Sequence, residues 1–100
     1  MQNLKFKYRC SCKEIPYAWQ NYIWCLGKIY PDLPDAMKKT IIEACSEAGR
    51  EYYSAVFREV TTHTSPYIIA RDEYISDTAL RRITNRYYRA MYRHLRRTYR

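Results

Sequence analysis

Apolar residues recur at three- and four-residue steps through most of the chain, and prolines stand where predicted helices begin. The first predicted helix spans 16–30, and a second spans 35–61 after the turn PDLPD. Gly49 falls inside the second helix, where glycine costs about 1 kcal/mol relative to alanine and favours a bend. A third helix opens at residue 65, and a fourth spans 76–97. The pattern predicts an all-α fold, a single small domain of about four helices.

The last two predicted helices form a pair joined by a turn at 72–75. Ser65 is expected to be the N-cap of the first, with Pro66 at the first helical position, where its missing N–H costs nothing. Ser76 is expected to cap the second. That helix carries one apolar stripe, formed by Leu80, Ile83, Tyr87, Met91 and Leu95. Its opposite face is polar and comprises Asp77, Thr78, Arg81, Arg82, Asn85, Arg86 and Arg89.

This pair fits the helix-turn-helix pattern of DNA-binding proteins at most positions. Such motifs need a small residue where the two helices touch and apolar residues at fixed offsets behind it. Ala70 supplies the small residue, and Ile75 closes the turn. Two positions depart from the pattern, because Glu73 stands where a large aliphatic residue is usual and Tyr74 stands where glycine is common.

The segment ISDTALRRI, which follows a short helix containing IIA, resembles a known family. It is similar to the C-terminal helix-turn-helix of small phage transcription regulators of the ArpU and RinA type. Those regulators in turn resemble the promoter-reading region 4 of sigma factors. The resemblance covers 34–95 and is loose outside the motif. It implies DNA binding in the transcription control of a phage or mobile element.

The N-terminal segment at 4–13 alternates strictly between apolar and polar residues, which is the pattern of a strand. No second strand follows, and a lone strand leaves its backbone unpaired. The segment would pair with a second copy, add to a partner's sheet, form a basic arm along DNA, or lie extended across the helices. The last interpretation is slightly favoured, so residues 1–15 are treated as an extended arm.

Charge is distributed very unevenly along the chain. Residues 1–77 hold ten Lys or Arg and ten Asp or Glu, whereas residues 78–100 hold eight arginines and no acid. The whole net charge of +8 therefore lies at the C-terminal end. Charge runs on helices are often just solvated faces, but here no acids alternate with the arginines to neutralise them. A basic helix on a neutral body is typical of a nucleic-acid-binding protein.

Other chemistry finds little support in the sequence. The four cysteines lack the twice-paired spacing of structural zinc sites, so no metal and no cofactor are expected. His63 and His94 stand beside no recognisable nucleophile or carboxylate pair, and no phosphate-binding glycine loop occurs, so the chain is not expected to be an enzyme. No apolar run is long enough to span a bilayer and no signal peptide is recognisable, so a cytosolic protein is expected.

We therefore expect the helix that starts at Ser76 to enter the major groove of double-stranded DNA. Arginine matches guanine and asparagine matches adenine in paired hydrogen bonds, which favours base contacts by Arg81, Arg82 and Asn85. The helix would be positioned on phosphates mostly by Ser76, Thr78, Arg86 and Arg89. The arginines from Arg93 onward extend beyond one groove and would meet flanking phosphates or another macromolecule. The predicted DNA-binding residues are Ser76, Thr78, Arg81, Arg82, Asn85, Arg86, Arg89 and Arg93.

Two further expectations concern partners. Helix-turn-helix proteins often dimerise on two half-sites, although no clear zipper is present for a homodimer. The alternative function is that of a phage-encoded inhibitor. Its arginine- and tyrosine-rich helix would occupy an acidic or nucleic-acid-binding groove of a host protein, such as a nuclease or RNA polymerase.

Overall fold

The computed structural model describes Cys10 and residues 12–98. The α-helices in this part of the chain are α1 (Tyr17–Lys28), α2 (Asp35–Gly49), α3 (Tyr53–Thr61), α4 (Pro66–Asp72) and α5 (Asp77–Thr98). Short 3-10 turns at Tyr30–Asp32 and Arg50–Tyr52 join α1 to α2 and α2 to α3. No strand occurs among the described residues. The prediction of a small all-α fold is confirmed.

The second predicted helix is not continuous. It ends at Gly49, Arg50 adopts a left-handed conformation with φ 51°, and α3 begins three residues later. Val56 on α3 lies so close to Gly49 that a Cβ there would come within 2.9 Å of its Cγ1 atom. The prediction of one helix over 35–61 is therefore wrong. Because Gly49 has no side chain, α3 can approach the end of α2 closely.

Helix α5 is the element around which the other helices pack. The five residues of its predicted apolar stripe are between 0% and 4% exposed, so the stripe is confirmed. Helix α2 makes the most extensive contact with it and contributes Ile41, Ala44, Cys45 and Ala48 to the main core. Each fully buried large aliphatic side chain contributes about 1.5–3 kcal/mol, and this seam therefore sets the position of α5.

The N-terminal segment can be followed only at its last residues. Cys12 and Ile15 are 1% and 2% exposed and belong to the main core. The Cys12 Sγ atom lies 3.6 Å from the main-chain oxygen of Asn85 on α5. The predicted alternation at 4–13 otherwise lies outside the described residues, and its role stays a prediction.

Both helix starts in the C-terminal pair are capped as predicted. The Ser65 hydroxyl accepts a hydrogen bond from the Tyr67 N–H at 3.2 Å, and the Ser76 hydroxyl accepts one from the Ala79 N–H at 3.0 Å. Behind the turn, a small second core brings α3, α4 and α5 together. It consists of Ala55, Ile69, Ala70 and Leu80, with Ile75 packed against it.

The turn between α4 and α5 closes with a Schellman motif. The Ile75 N–H donates to the Ala70 carbonyl at 3.0 Å, and the Tyr74 N–H donates to the Arg71 carbonyl at 3.4 Å. This pattern requires a left-handed residue after the helix cap, which is usually glycine. Tyr74 occupies that position with φ 57°, and its side chain is 93% exposed. Tyr74 therefore adopts the left-handed backbone conformation that glycine favours at this position.

Replacing Tyr74 with glycine should stabilise the fold by about 1 kcal/mol. A left-handed conformation costs a non-glycine residue about 1–2 kcal/mol, and part of this gain is lost to the greater freedom of glycine in the unfolded chain. Urea unfolding would measure the difference. Tyr74→Ala keeps the Cβ atom and should show no such gain, whereas equal stabilisation by both variants would contradict a backbone origin.

Candidate nucleic-acid interface

The first turns of α5 form an exposed basic surface, which we call the reading end and define as Thr78, Arg81, Arg82 and Asn85. The first three are exposed and Asn85 is half-buried. Thr78, Arg82 and Asn85 share one helix face because they are spaced by four and three residues. Neither arginine has an acidic side chain within ion-pair distance among the described residues. Both guanidinium groups are thus directed to solvent.

The middle of α5 is held by contacts with the rest of the chain. Arg86 donates two hydrogen bonds to the Ala48 carbonyl, at 3.2 and 3.0 Å, and so satisfies a carbonyl in the last turn of α2. Arg89 donates to the Glu14 carboxylate at 2.5 Å, and Arg93 pairs with Glu47. These three predicted DNA-binding residues therefore have partners within the molecule.

The two ion pairs shift the titration of their acids. The hydrogen bond from Arg89 holds the pKa of Glu14 below its ordinary value, and the same bond raises the pKa of Arg89. Arg93, with a smaller contribution from His94, lowers the pKa of Glu47. Because these pairs are exposed, solvent and salt screen them and each is expected to contribute little to stability.

Lowering the pH should remove the stabilisation that the Glu47–Arg93 ion pair gives to the fold. The pKa of Glu47 is lower in the folded state than in the unfolded chain, so the unfolded state takes up its proton first as the pH falls. The stabilisation is full above the ordinary glutamate range and is lost as the pH falls through the lowered value. Glu47→Gln should flatten this part of a stability-against-pH curve.

Glu43 provides the control for that measurement. It is exposed on the same helix, and none of the described ion pairs includes it. Glu43→Gln should therefore leave the acid limb of the curve as it is in the parent chain. A parent-like acid limb in Glu47→Gln would show that the pair with Arg93 does not form in solution.

The C-terminal turns of α5 form a second open basic surface, which we call the distal groove. Its volume is about 520 Å³, and it is lined by Tyr92, Arg93, Arg96 and Arg97. The Arg96 guanidinium carbon lies 5.2 Å from the centre of the Tyr92 ring. Arg97 is exposed and has no acidic neighbour within ion-pair distance in the described part of the chain. The predicted residue Arg93 belongs to both the held middle and this groove.

A separate cavity of about 290 Å³ lies between α1, α3, the following linker and α5. The buried Glu59 carboxylate on its wall accepts a hydrogen bond from the Thr84 hydroxyl at 3.0 Å. The Lys28 ammonium group donates to the Glu59 and Thr62 carbonyls at 2.7 and 2.6 Å. Burial lowers the pKa of Lys28. The hydroxyl group of Tyr87, which also lines the cavity, is buried without a hydrogen-bond partner among the described residues, so the polar network of this cavity is incomplete.

The remaining chemistry-bearing side chains are dispersed. No group of three or more His, Cys, Asp or Glu residues that could hold a metal ion occurs in the described part of the chain. Burial raises the pKa of the Cys45 thiol to about 12, so this thiol is protonated at neutral pH and poorly nucleophilic.

Sequence reasoning did not predict the contacts that hold the middle of α5 against the rest of the chain and leave its two ends exposed. Arg86, Arg89 and Arg93 look identical to the free arginines in a one-dimensional pattern. The spacing of Arg86 and Arg89 along the helix gives no indication of their partners. Glu47 is one of five acids on the predicted second helix, so the sequence did not single it out as the partner of Arg93.

Comparison of the chain with protein-family models, with curated protein sequences and with solved structures finds no match. Among the described residues, no helix is both long and apolar enough to cross a membrane. The fold therefore defines the class, a small all-α domain with a capped C-terminal helix pair.

Proposed function

We propose that this protein binds double-stranded DNA sequence-specifically and reads the major groove with the reading end of α5. Arg81 and Arg82 are assigned to guanine edges and Asn85 to an adenine edge. Thr78 and Ser76 position the helix start on the phosphate backbone. The function is that of a transcription regulator of a phage or mobile element, acting in the cytosol, as the resemblance to ArpU- and RinA-type regulators implies.

One observation carries the proposal. In the described part of the chain, Arg81 and Arg82 at the start of α5 have no partner, whereas Arg86 and Arg89, which follow them, are both paired. Helix-turn-helix proteins contact base edges with the N-terminal residues of the second helix. The helix start is also held firmly, because Ser76 caps it and Leu80 anchors it in the second core. A rigid, exposed and basic helix start has the properties that groove reading needs.

The middle of α5 contributes in a different way from the one expected. Arg86 and Arg89 are assigned to holding the helix against α2 and the N-terminal segment, and their remaining exposed N–H groups are secondary contacts. We further propose that binding uses two half-sites and therefore a homodimer, as is common for this class of motif.

The test is a selection from random duplexes followed by gel-shift titration at two salt concentrations. The proposal expects an enriched motif and an affinity that falls as salt rises, because binding releases counterions from the phosphates. Arg81→Ala should relax the preference at one position of the motif. Absence of any enriched motif, with binding to all duplexes alike, would reject sequence-specific reading.

A protein-binding inhibitor is the second candidate, and a specific surface favours it. Tyr67, Ile68 and Tyr74 around α4 are 74%, 40% and 93% exposed, and exposed tyrosines are enriched at interaction hot spots. Tyr74 also carries a left-handed backbone without packing its ring. Host-protein capture that is lost in Tyr67→Ala but retained in Arg81→Ala would favour this candidate over DNA reading.

A further inference from the structure

We propose that the distal groove binds single-stranded nucleic acid, as a site separate from the duplex-reading end of α5. The proposal extends the proposed function but stands on different residues, so the two can fail independently. Three observations carry it: the charge of the groove, its aromatic wall and its distance from the reading end.

The groove has the charge of a polyanion site. Three guanidinium groups line it, those of Arg93, Arg96 and Arg97. Among the described residues, Glu47 is the acid that forms ion pairs with this part of α5, through Arg93 and His94. Neither Arg96 nor Arg97 has an acidic partner among the described residues. Like charges on one helix destabilise it when no partner is present, and a chain of phosphates would remove that cost.

The aromatic side chain that lines the groove, Tyr92, favours single strands over duplexes. Tyr92 lines the groove, and Arg96 lies over its ring. The Trp19 ring on α1 meets the Tyr92 ring edge to face, with centroids 5.5 Å apart, and Tyr22 lies next to Trp19 at 6.0 Å. Aromatic rings and arginine planes bind single strands by stacking on the bases. In a duplex the base faces are stacked inside the helix, so a duplex could contact only the positive charges of the groove.

The distance from the reading end makes this a second site. Arg81 and Arg97 are sixteen residues apart on one continuous helix, which is about 24 Å along its axis at about 1.5 Å per residue. A recognition helix docks with its N-terminal residues in a major groove about 12 Å wide. The distal groove therefore lies beyond the groove that the reading end occupies and is available to another strand.

Fluorescence polarisation on the full chain would test the proposal, with labelled oligo-dT of about 12 nucleotides and a mixed-sequence duplex as the two probes. Arg96→Ala/Arg97→Ala should weaken oligo-dT binding and reduce its salt slope by about 1.4, at about 0.7 per lost phosphate contact. Tyr92→Leu should weaken it by about tenfold, since it removes the aromatic face on which a base would stack. Arg81→Ala/Arg82→Ala should leave oligo-dT binding unchanged.

Tyr92→Phe removes only the hydroxyl group and keeps the ring, so it should bind oligo-dT as the parent does if the ring carries the contact. Circular dichroism of Tyr92→Leu checks that the helices are retained. No binding of oligo-dT by the parent chain overturns the proposal. So does competition by polyglutamate as strong as that by oligo-dT, which would assign the groove to an acidic protein. A loss of duplex binding alone in Arg96→Ala/Arg97→Ala would assign it to duplex phosphates and also overturns the proposal.

Discussion

Arg81→Ala/Arg82→Ala should weaken binding to the preferred duplex by more than about 2 kcal/mol, or roughly thirtyfold, while the fold keeps its stability. A single arginine that reads a base edge is worth about 1–3 kcal/mol. Both side chains are exposed, and neither has an ion-pair partner among the described residues. Their removal therefore takes nothing from the folded state. Titration of a selected duplex and of a scrambled duplex of the same length measures the loss.

The matched control is Arg96→Ala/Arg97→Ala, which removes the same charge from the same helix. If the reading end acts by direct contact, only the first double variant lowers the ratio between selected and scrambled duplexes. If α5 acts only as a diffuse positive charge, both variants weaken both duplexes to a similar extent, since phosphate contacts carry no sequence information. Similar losses in the two variants would therefore contradict base reading.

The elements that sequence reasoning predicted correctly are those that short-range patterns determine. The buried stripe of α5 follows from helical periodicity, and the caps at Ser65 and Ser76 follow from side chains that reach backbone N–H groups two or three residues away. The Ala70 and Ile75 contact is local as well, because both residues belong to one turn. Local physical chemistry is sufficient to define this pair of helices.

The features that sequence reasoning missed depend on residues far apart in the chain. The partners of Arg86, Arg93 and Arg89 lie 38, 46 and 75 residues away. No periodicity connects them, so the middle of α5 looked as available for DNA as its ends. The break after Gly49 involves a nearer residue, because Val56, seven positions along the chain, approaches Gly49 from the following helix. The open surfaces of α5 therefore emerged only when the helices were packed.

Gly27→Ala should destabilise the fold by about 1–3 kcal/mol or more, although helix propensity alone predicts a gain of about 1 kcal/mol. Gly27 is buried near the end of α1. A Cβ atom there would lie 2.3 Å from the main-chain oxygen of Val60 and 3.2 Å from its carbonyl carbon. The obstacle is the backbone of α3, which cannot rotate away as a side chain could. The helices would have to separate, and urea unfolding would record the lower midpoint.

Gly49→Ala is the internal comparison, because its new Cβ would meet the Val56 Cγ1 atom at 2.9 Å, which is a side-chain contact. A double-mutant cycle distinguishes the two clashes. Val56→Ala should relieve Gly49→Ala, giving a favourable coupling, whereas Val60→Ala should not relieve Gly27→Ala because the obstructing oxygen remains. If Gly27→Ala matches or exceeds the parent in stability, α1 and α3 do not approach as closely as this packing requires. The wall of the cavity that Lys28 and Glu59 share would then have to be placed differently as well.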